Sequence, residues 1–213
     1  MNDDLLRFRK KQKYLCFDFE TCHLNLLNSG NKPWQLGYGI FQGKKLIKSF
    51  DKLIKWEPLD ISPEAAKICR FNRKHYEKNW CDPTEVLKEF ESYLYDPEYL
   101  IIGHNVLGFD VYIHNIYRKL LKKSTDYSYI DRIIDTNCIA KASKEQMKKN
   151  KTEKLINWQF KLNEFHKRGL RTNQKQLLKD YSIDFEEEKL HDARYDIEMT
   201  FNIFNKLIWE VEI

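Results

Sequence analysis

The stretch YLCFDFET, residues 14–21, is an apolar, aromatic-rich run bounded by polar sequence, and it reads as a buried β-strand through residue 19. Two acids interrupt it. Side chains two apart on a strand project from the same face, so Asp18 and Glu20 stand side by side. Paired carboxylates in an apolar setting repel each other and resist desolvation unless a cation neutralises them. The plainer reading is a strand end frayed into solvent. The rest of the chain decides between the two.

Two further acids occupy inward positions. In GHNVLGFDVYIHNIYRKLLKK, a helix is expected from about residue 108 to 122, with an apolar row through Phe109, Ile113, Ile116, Tyr117, Leu120 and Leu121. At 100° per residue Asp110 falls inside that arc, with Asn115, Arg118 and Lys119 on the opposite side. In LHDARYDIEMTFNIFNKLIW, Asp196 aligns with Thr200, Ile203 and Leu207, beside the row Ile197, Phe201, Phe204 and Ile208. On a continuous helix His191 would lie about 140° from Asp196. The two share a site only if His191 lies in the chain entering the helix, with Asp192 as N-cap.

The order of elements is α/β. Apolar runs at 34–41 and 46–50 flank a Gly-containing, charged turn, Gln42-Gly43-Lys44-Lys45, as in a hairpin. Ser62-Pro63-Glu64 opens a short helix through residue 68, and Asp82-Pro83-Thr84-Glu85 opens another to about residue 95. Residues 99–102 form a short buried strand followed by a turn organised by His104 and Asn105. Residues 130–134 form another strand, ending at Asp135-Thr136, and the last fifth of the chain is helical. Three strands followed by strands interleaved with helices predict a mixed central sheet flanked by helices. One domain, 1–213, is expected, with a lysine-rich helical insertion at 141–171 whose amphipathic part carries Leu155, Trp158, Leu162 and Phe165. Trp158 is expected in the core.

Composition narrows the class. Apolar residues make up 42% and aromatics 14%, which excludes a disordered tail. Lys plus Arg total 37 against 32 acids, a modest +5 that favours an anionic partner. The five cysteines are scattered with no CxxC pair, which argues against a disulfide framework or structural zinc and fits a reducing cytosol. Residues 1–14 lack the apolar stretch of a signal peptide, and no run is long enough to span a membrane. A soluble cytoplasmic protein without a membrane partner is expected.

FDFET, then Asn105-Val-Leu-Gly-Phe-Asp110, then His191-Asp-Ala-Arg-Tyr-Asp196 together resemble the three motifs of the DEDD 3′–5′ exonucleases, in their histidine-containing branch. That group includes polymerase proofreading subunits, ribonuclease T and oligoribonuclease, on a ribonuclease-H-like fold. The resemblance runs from residue 14 to 204, with lesser echoes at Gln35 and Asp135-Thr136. Three motifs in order are specific where one would be weak.

The resemblance implies that Asp18, Glu20, Asp110 and Asp196 hold two Mg²⁺ ions about 3.5–4 Å apart, with Mn²⁺ as a substitute. It implies His191 as general base on the attacking water. Thr21, Leu24 and Asn105 would meet the terminal nucleotide. Where the family often reads Thr-Gly-Leu, this chain reads Thr21-Cys22-His23-Leu24, so His23 is a departure. The implied activity is metal-dependent hydrolysis of nucleic acid from the 3′ end, releasing 5′-mononucleotides. Single-stranded DNA is the expected substrate and RNA the alternative; a replication or repair partner such as a polymerase is left open. A non-catalytic binding module would lack one of these acids or the histidine, and none is missing.

Overall fold

The computed structural model describes residues 5–23, 26 and 31–213. Five strands form one sheet in the order β3-β2-β1-β4-β5: β1 Lys13–Thr21, β2 Pro33–Gln42, β3 Lys45–Leu53, β4 Tyr99–Gly103 and β5 Ile133–Asp135. The first three are antiparallel, while β4 and β5 run parallel to β1 and to each other. Among the described residues eight α-helices accompany them: α1 Pro63–Ile68, α2 Arg73–Asn79, α3 Pro83–Leu94, α4 Asp110–Leu120, α5 Thr136–Lys144, α6 Leu155–Glu164, α7 Gln174–Asp180 and α8 Ala193–Glu210. The architecture is α/β with a mixed sheet, as the sequence predicts. Among the described residues no helix is long and apolar enough to cross a membrane.

The period of two in β1 sorts its side chains to two helical layers. Phe17 and Phe19 pack edge-on against Phe90 of α3. On the other face Tyr14 meets Phe201 and Phe204 of α8, and the Cys16 thiol donates to the Ile197 carbonyl at 3.4 Å. Asp18 and Glu20 continue this second face, so the strand aims both acids at the layer that carries Asp196.

The caps at the middle helices follow the expected chemistry. Ser62 accepts from Ala65 N–H at the start of α1, and Asp82 accepts from Thr84 and Glu85 N–H at the start of α3. Trp158 is buried in the core.

Other expectations need correction. The helix α4 begins at Asp110, not near residue 108, because Phe109 has a non-helical backbone (φ −141°, ψ −69°). Residues 130–132 form a 3-10 turn, and the strand is confined to Ile133–Asp135. Asn115 and Arg118, read as solvent-facing, are buried. The Asn115 side chain is taken up by Val111 and Asp126, and Arg118 is drawn inward by Glu91. The lysine-dense segment is not one solvated face either. Lys141 is buried on α5, and its ammonium donates to the carbonyls of Leu162, Asn163 and Phe165 at the end of α6.

Candidate active site

Glycine in β2 lets the site close. Gly37 stands opposite Asp18 in the β1–β2 register, and a Cβ there would lie 2.4 Å from the carbonyl carbon and oxygen of Ala193. The first turn of α8 therefore rests directly on the sheet, which delivers Asp196 beside the acids of β1. Gly39 serves the same approach further along, where a Cβ would lie 3.1 Å from the Ile197 side chain.

The entry to α8 is built as the sequence requires. Asp192 is the N-cap and accepts from Tyr195 N–H at 3.1 Å. His191 precedes it in a left-handed conformation (φ 68°), and its backbone N–H donates to Asp196 Oδ2 at 2.9 Å. This reversal is what brings an exposed imidazole back over the buried carboxylate. Ligand atoms of Glu20, His191 and Asp196 all lie within 4.8 Å of one another. The other oxygen of Asp196, Oδ1, is buried and has no hydrogen-bond partner among the described residues.

Asp110 enters from the other side of the sheet. It is buried at the first turn of α4, where its Oδ1 accepts from Phe19 N–H at 3.0 Å, between the two acids of β1. The turn leading to it is held by Asp135, a fully buried carboxylate at the end of β5. Asp135 accepts from the N–H groups of Asn105 and Leu107 on the turn, and from Asn137 and Cys138 as the N-cap of α5. In the sequence Asp135 stood out only as an echo. Its role depends on the parallel pairing Gly103↔Asp135, which no local pattern reveals.

Electrostatics identify what the site lacks. Burial pushes the Asp18 carboxyl well above its ordinary range, and the charges of Asp110, Glu20, Asp196 and Asp192 push it further. Glu20 is raised in the same way, by burial and then by Asp196, Asp110 and Asp192. Burial also raises Asp110 and Asp196 against the backbone N–H bonds that each accepts. His191 is pushed down, first by burial and then by Arg70, and so favours its neutral form.

Four carboxylates, one of them with an oxygen unpartnered among the described residues, and an imidazole form an oxygen-rich donor set short of positive charge. It fits a hard divalent cation, which Asp18, Glu20, Asp110 and Asp196 could hold. The His191 ring is also within reach as a ligand.

The remaining sequence-derived candidates lie around this cluster. Thr21 is buried, and its hydroxyl donates to the His23 carbonyl at 2.6 Å. Asn105 is half-buried on the β4–α4 turn with φ 59°, and its Oδ1 accepts from Asn137 Nδ2 at 3.3 Å. Leu24 lies outside the described residues. Two contributors were not anticipated. Asp192 adds its charge to the cluster, and Gln174 of α7 donates to the Asp196 carbonyl and to Thr200 Oγ1, both at 2.9 Å.

A family model described as Exonuclease (RNase_T) matches residues 15–204. No curated protein matches the chain. Among solved structures, E. coli Exonuclease I in complex with a dT13 oligonucleotide aligns with TM-score 0.73 and 16% identity, over 94% of this chain and 42% of that one. The zinc-ion-bound E. coli ExoI–ssDNA complex gives 0.70 and 16%, over 92% and 40%. An ExoI/SSB-Ct complex gives 0.70 and 14%, over 94% and 42%. The chain spans less than half the length of these structures. The likeness is one of fold, the ribonuclease-H-like arrangement of sheet and helices.

Proposed function

The chain belongs to the exonuclease family, and from that premise we propose that it is a metal-dependent 3′–5′ exonuclease of the histidine-containing branch, acting on single-stranded DNA. The observation that carries the proposal is the convergence of Asp18, Glu20, Asp110 and Asp196 with His191, around a buried oxygen that no described residue satisfies. Divalent ions, Mg²⁺ or Mn²⁺, held by these acids would supply positive charge for the scissile phosphate and lower the pKa of the attacking water.

The protein's own groups do the rest. Asp18 and Glu20, fixed by the strand, and Asp196, fixed by the close approach of α8, set the ligand positions. Asp110 anchors the far side through Phe19 N–H. His191 is exposed and its pKa is lowered, which favours the neutral imidazole that can take the proton from the attacking water. Thr21 and Asn105 line the approach of the terminal nucleotide.

The test is digestion of end-labelled single-stranded DNA beside its RNA counterpart, with and without chelator. Mononucleotide release from a free 3′ end, stopped by a 3′-phosphate and by chelation, is the expected result. Cleavage of a circular strand would show an endonuclease and overturn the reading. Preference for the RNA strand would transfer it to an exoribonuclease of the same family.

A further inference from the structure

A second polar surface adjoins the acids, and its charge is opposite. A cavity of about 710 Å³ opens between α5 and the connection from α6 to α7, with Asn105, Asn137, Phe165, His166, Arg168 and Thr172 among its lining residues. None of the described lining residues is acidic. A further cavity of about 510 Å³ continues past Arg168 to Arg171, and there the acid Glu145 is already paired with Lys167 at 2.5 Å. Arg168 and Arg171 are exposed and form no ion pair among the described residues. Volumes of this size suit a ligand as large as a nucleotide.

The placement of this cleft follows from the sheet. Parallel pairing puts Cys16 level with Ile102, and Gly103 level with Asp135. Asn105 and Asn137 lie two residues beyond this last pair, on the turn after β4 and in the first turn of α5, at the same C-terminal edge of the sheet where β1 carries its acids. The strands they follow, β4 and β5, are the first and second across from β1 on that side of the sheet, with neighbours about 5 Å apart.

The cleft is also built firmly. Lys141 clamps the three carbonyls at the end of α6, Thr172 Oγ1 donates to Asn137 Oδ1 at 2.5 Å, and α7 is tied to Asp196 through Gln174.

We propose that this cleft holds the part of a nucleic-acid strand lying 5′ of the nucleotide being removed, with Arg168 and Arg171 on its phosphates and Phe165 beside a base. The proposal rests on the exonuclease reading of the acid site. Exposed cations without an ion pair among the described residues, amides that can meet base edges and one half-buried aromatic ring are what a single strand needs. A free mononucleotide or inorganic phosphate would engage only part of so extended a surface.

The experiment uses Arg168→Glu/Arg171→Glu and, as a milder control for fold, Arg168→Gln/Arg171→Gln. A labelled oligothymidylate is titrated by fluorescence anisotropy in chelator, over a salt series. Binding is expected to weaken by about ten-fold or more in the charge-reversed protein. The log–log salt slope should fall by about 1.4 in the Gln pair, at about 0.7 for each phosphate no longer neutralised. In the presence of metal, the drop in KM as the substrate lengthens from a dinucleotide should be blunted in both variants. Unchanged affinity and unchanged length dependence would overturn the proposal, as would tight competition by inorganic phosphate alone. If no strand is cut under any condition but metal-free binding still weakens in the variants, the exonuclease reading fails and the cleft assignment stands.

Discussion

Helix α4 touches two groups of buried and half-buried charge in opposite states of balance. Near its C-terminal half, Glu91 of α3 is surrounded by His114, Arg118 and Lys123. Burial alone would raise the Glu91 carboxyl, but hydrogen bonds and charge from His114 and Arg118 outweigh it and hold the group below its ordinary value. At the helix start, Asp110 joins Asp18, Glu20 and Asp196, all pushed upward. The same chain therefore neutralises a half-buried carboxylate away from the site and leaves four un-neutralised where they converge. Removing one partner of a buried pair is costly, whereas removing one of several repelling like charges is a gain. The acid cluster is a site whose missing charge comes from outside.

Neutralising one acid in each group is the sharpest way to break this comparison. Asp18→Asn should abolish turnover while raising the melting temperature of the metal-free protein at pH 8. Glu91→Gln should destabilise by about 1–3 kcal/mol, because it leaves Arg118 under-compensated, with turnover per folded molecule retained. Melts and steady-state rates on the two variants give four readings. Equal destabilisation by both substitutions would show that the acid cluster is an ordinary structural network.

His191 comes next in size. If its imidazole accepts the proton, His191→Ala should lower kcat by about 10²–10⁴-fold, with metal affinity nearly unchanged. Its ring also lies within ligand reach of Glu20 and Asp196, so calorimetric metal titration is the discriminating measurement. A large loss of metal affinity would make His191 a ligand and leave the base to be found elsewhere.

Gly37→Ala carries the comparison to the packing that assembles the cluster. The new methyl would meet the Ala193 backbone, which has no soft side chain to yield, so the start of α8 must move. A displacement of the order of 1 Å at Asp196 is expected to cost about 10²-fold in kcat/KM. The Glu91 group, on the other face of the sheet, should keep its integrity, as shown by the unchanged effect of Glu91→Gln in the Gly37→Ala background. Full activity in Gly37→Ala would mean that α8 tolerates the shift.

These contrasts also show what was legible in the sequence. Asp110 and Asp196 stood out because each breaks the apolar arc of its own helix, and Asp18-x-Glu20 because each breaks an apolar strand. Such signals are local. The caps Ser62, Asp82 and Asp192 were readable for the same reason. Arg118 and Asn115 were misplaced because their burial depends on partners 27 and 11 residues away in the chain. The helix α5 was hidden among lysines, since nothing local says that Lys141 turns inward to carbonyls more than 20 residues on. Asp135 and the cationic cleft likewise exist only after β4 and β5 pair. Patterning carried the acids; long-range closure carried their supports.

The smallest effect is a dependence of metal-free stability on pH. A carboxyl whose folded pKa is raised takes up its proton more readily in the folded state, so acidification through the folded value stabilises the protein. Asp110 is raised to about 8 and Asp196 to about 7, with Asp18 and Glu20 also raised. Lowering the pH from about 8.5 to 6.5 should therefore raise the melting temperature of the metal-free protein. Below that window the trend is opposed, because His104, His114 and His191 have lowered folded values and favour the unfolded state as it gains protons. Glu91, whose folded value is lowered, contributes stability throughout the upper window and loses it only under more acidic conditions. Saturating Mg²⁺ should stabilise the protein most at the alkaline end, flattening or reversing the slope, since a bound cation favours the charged carboxylates. Thermal melts at three pH values with and without Mg²⁺ make the measurement. A metal-free melting temperature that falls from pH 8.5 to 6.5 would show that these acids are already neutralised within the protein, and the contrast with Glu91 would disappear.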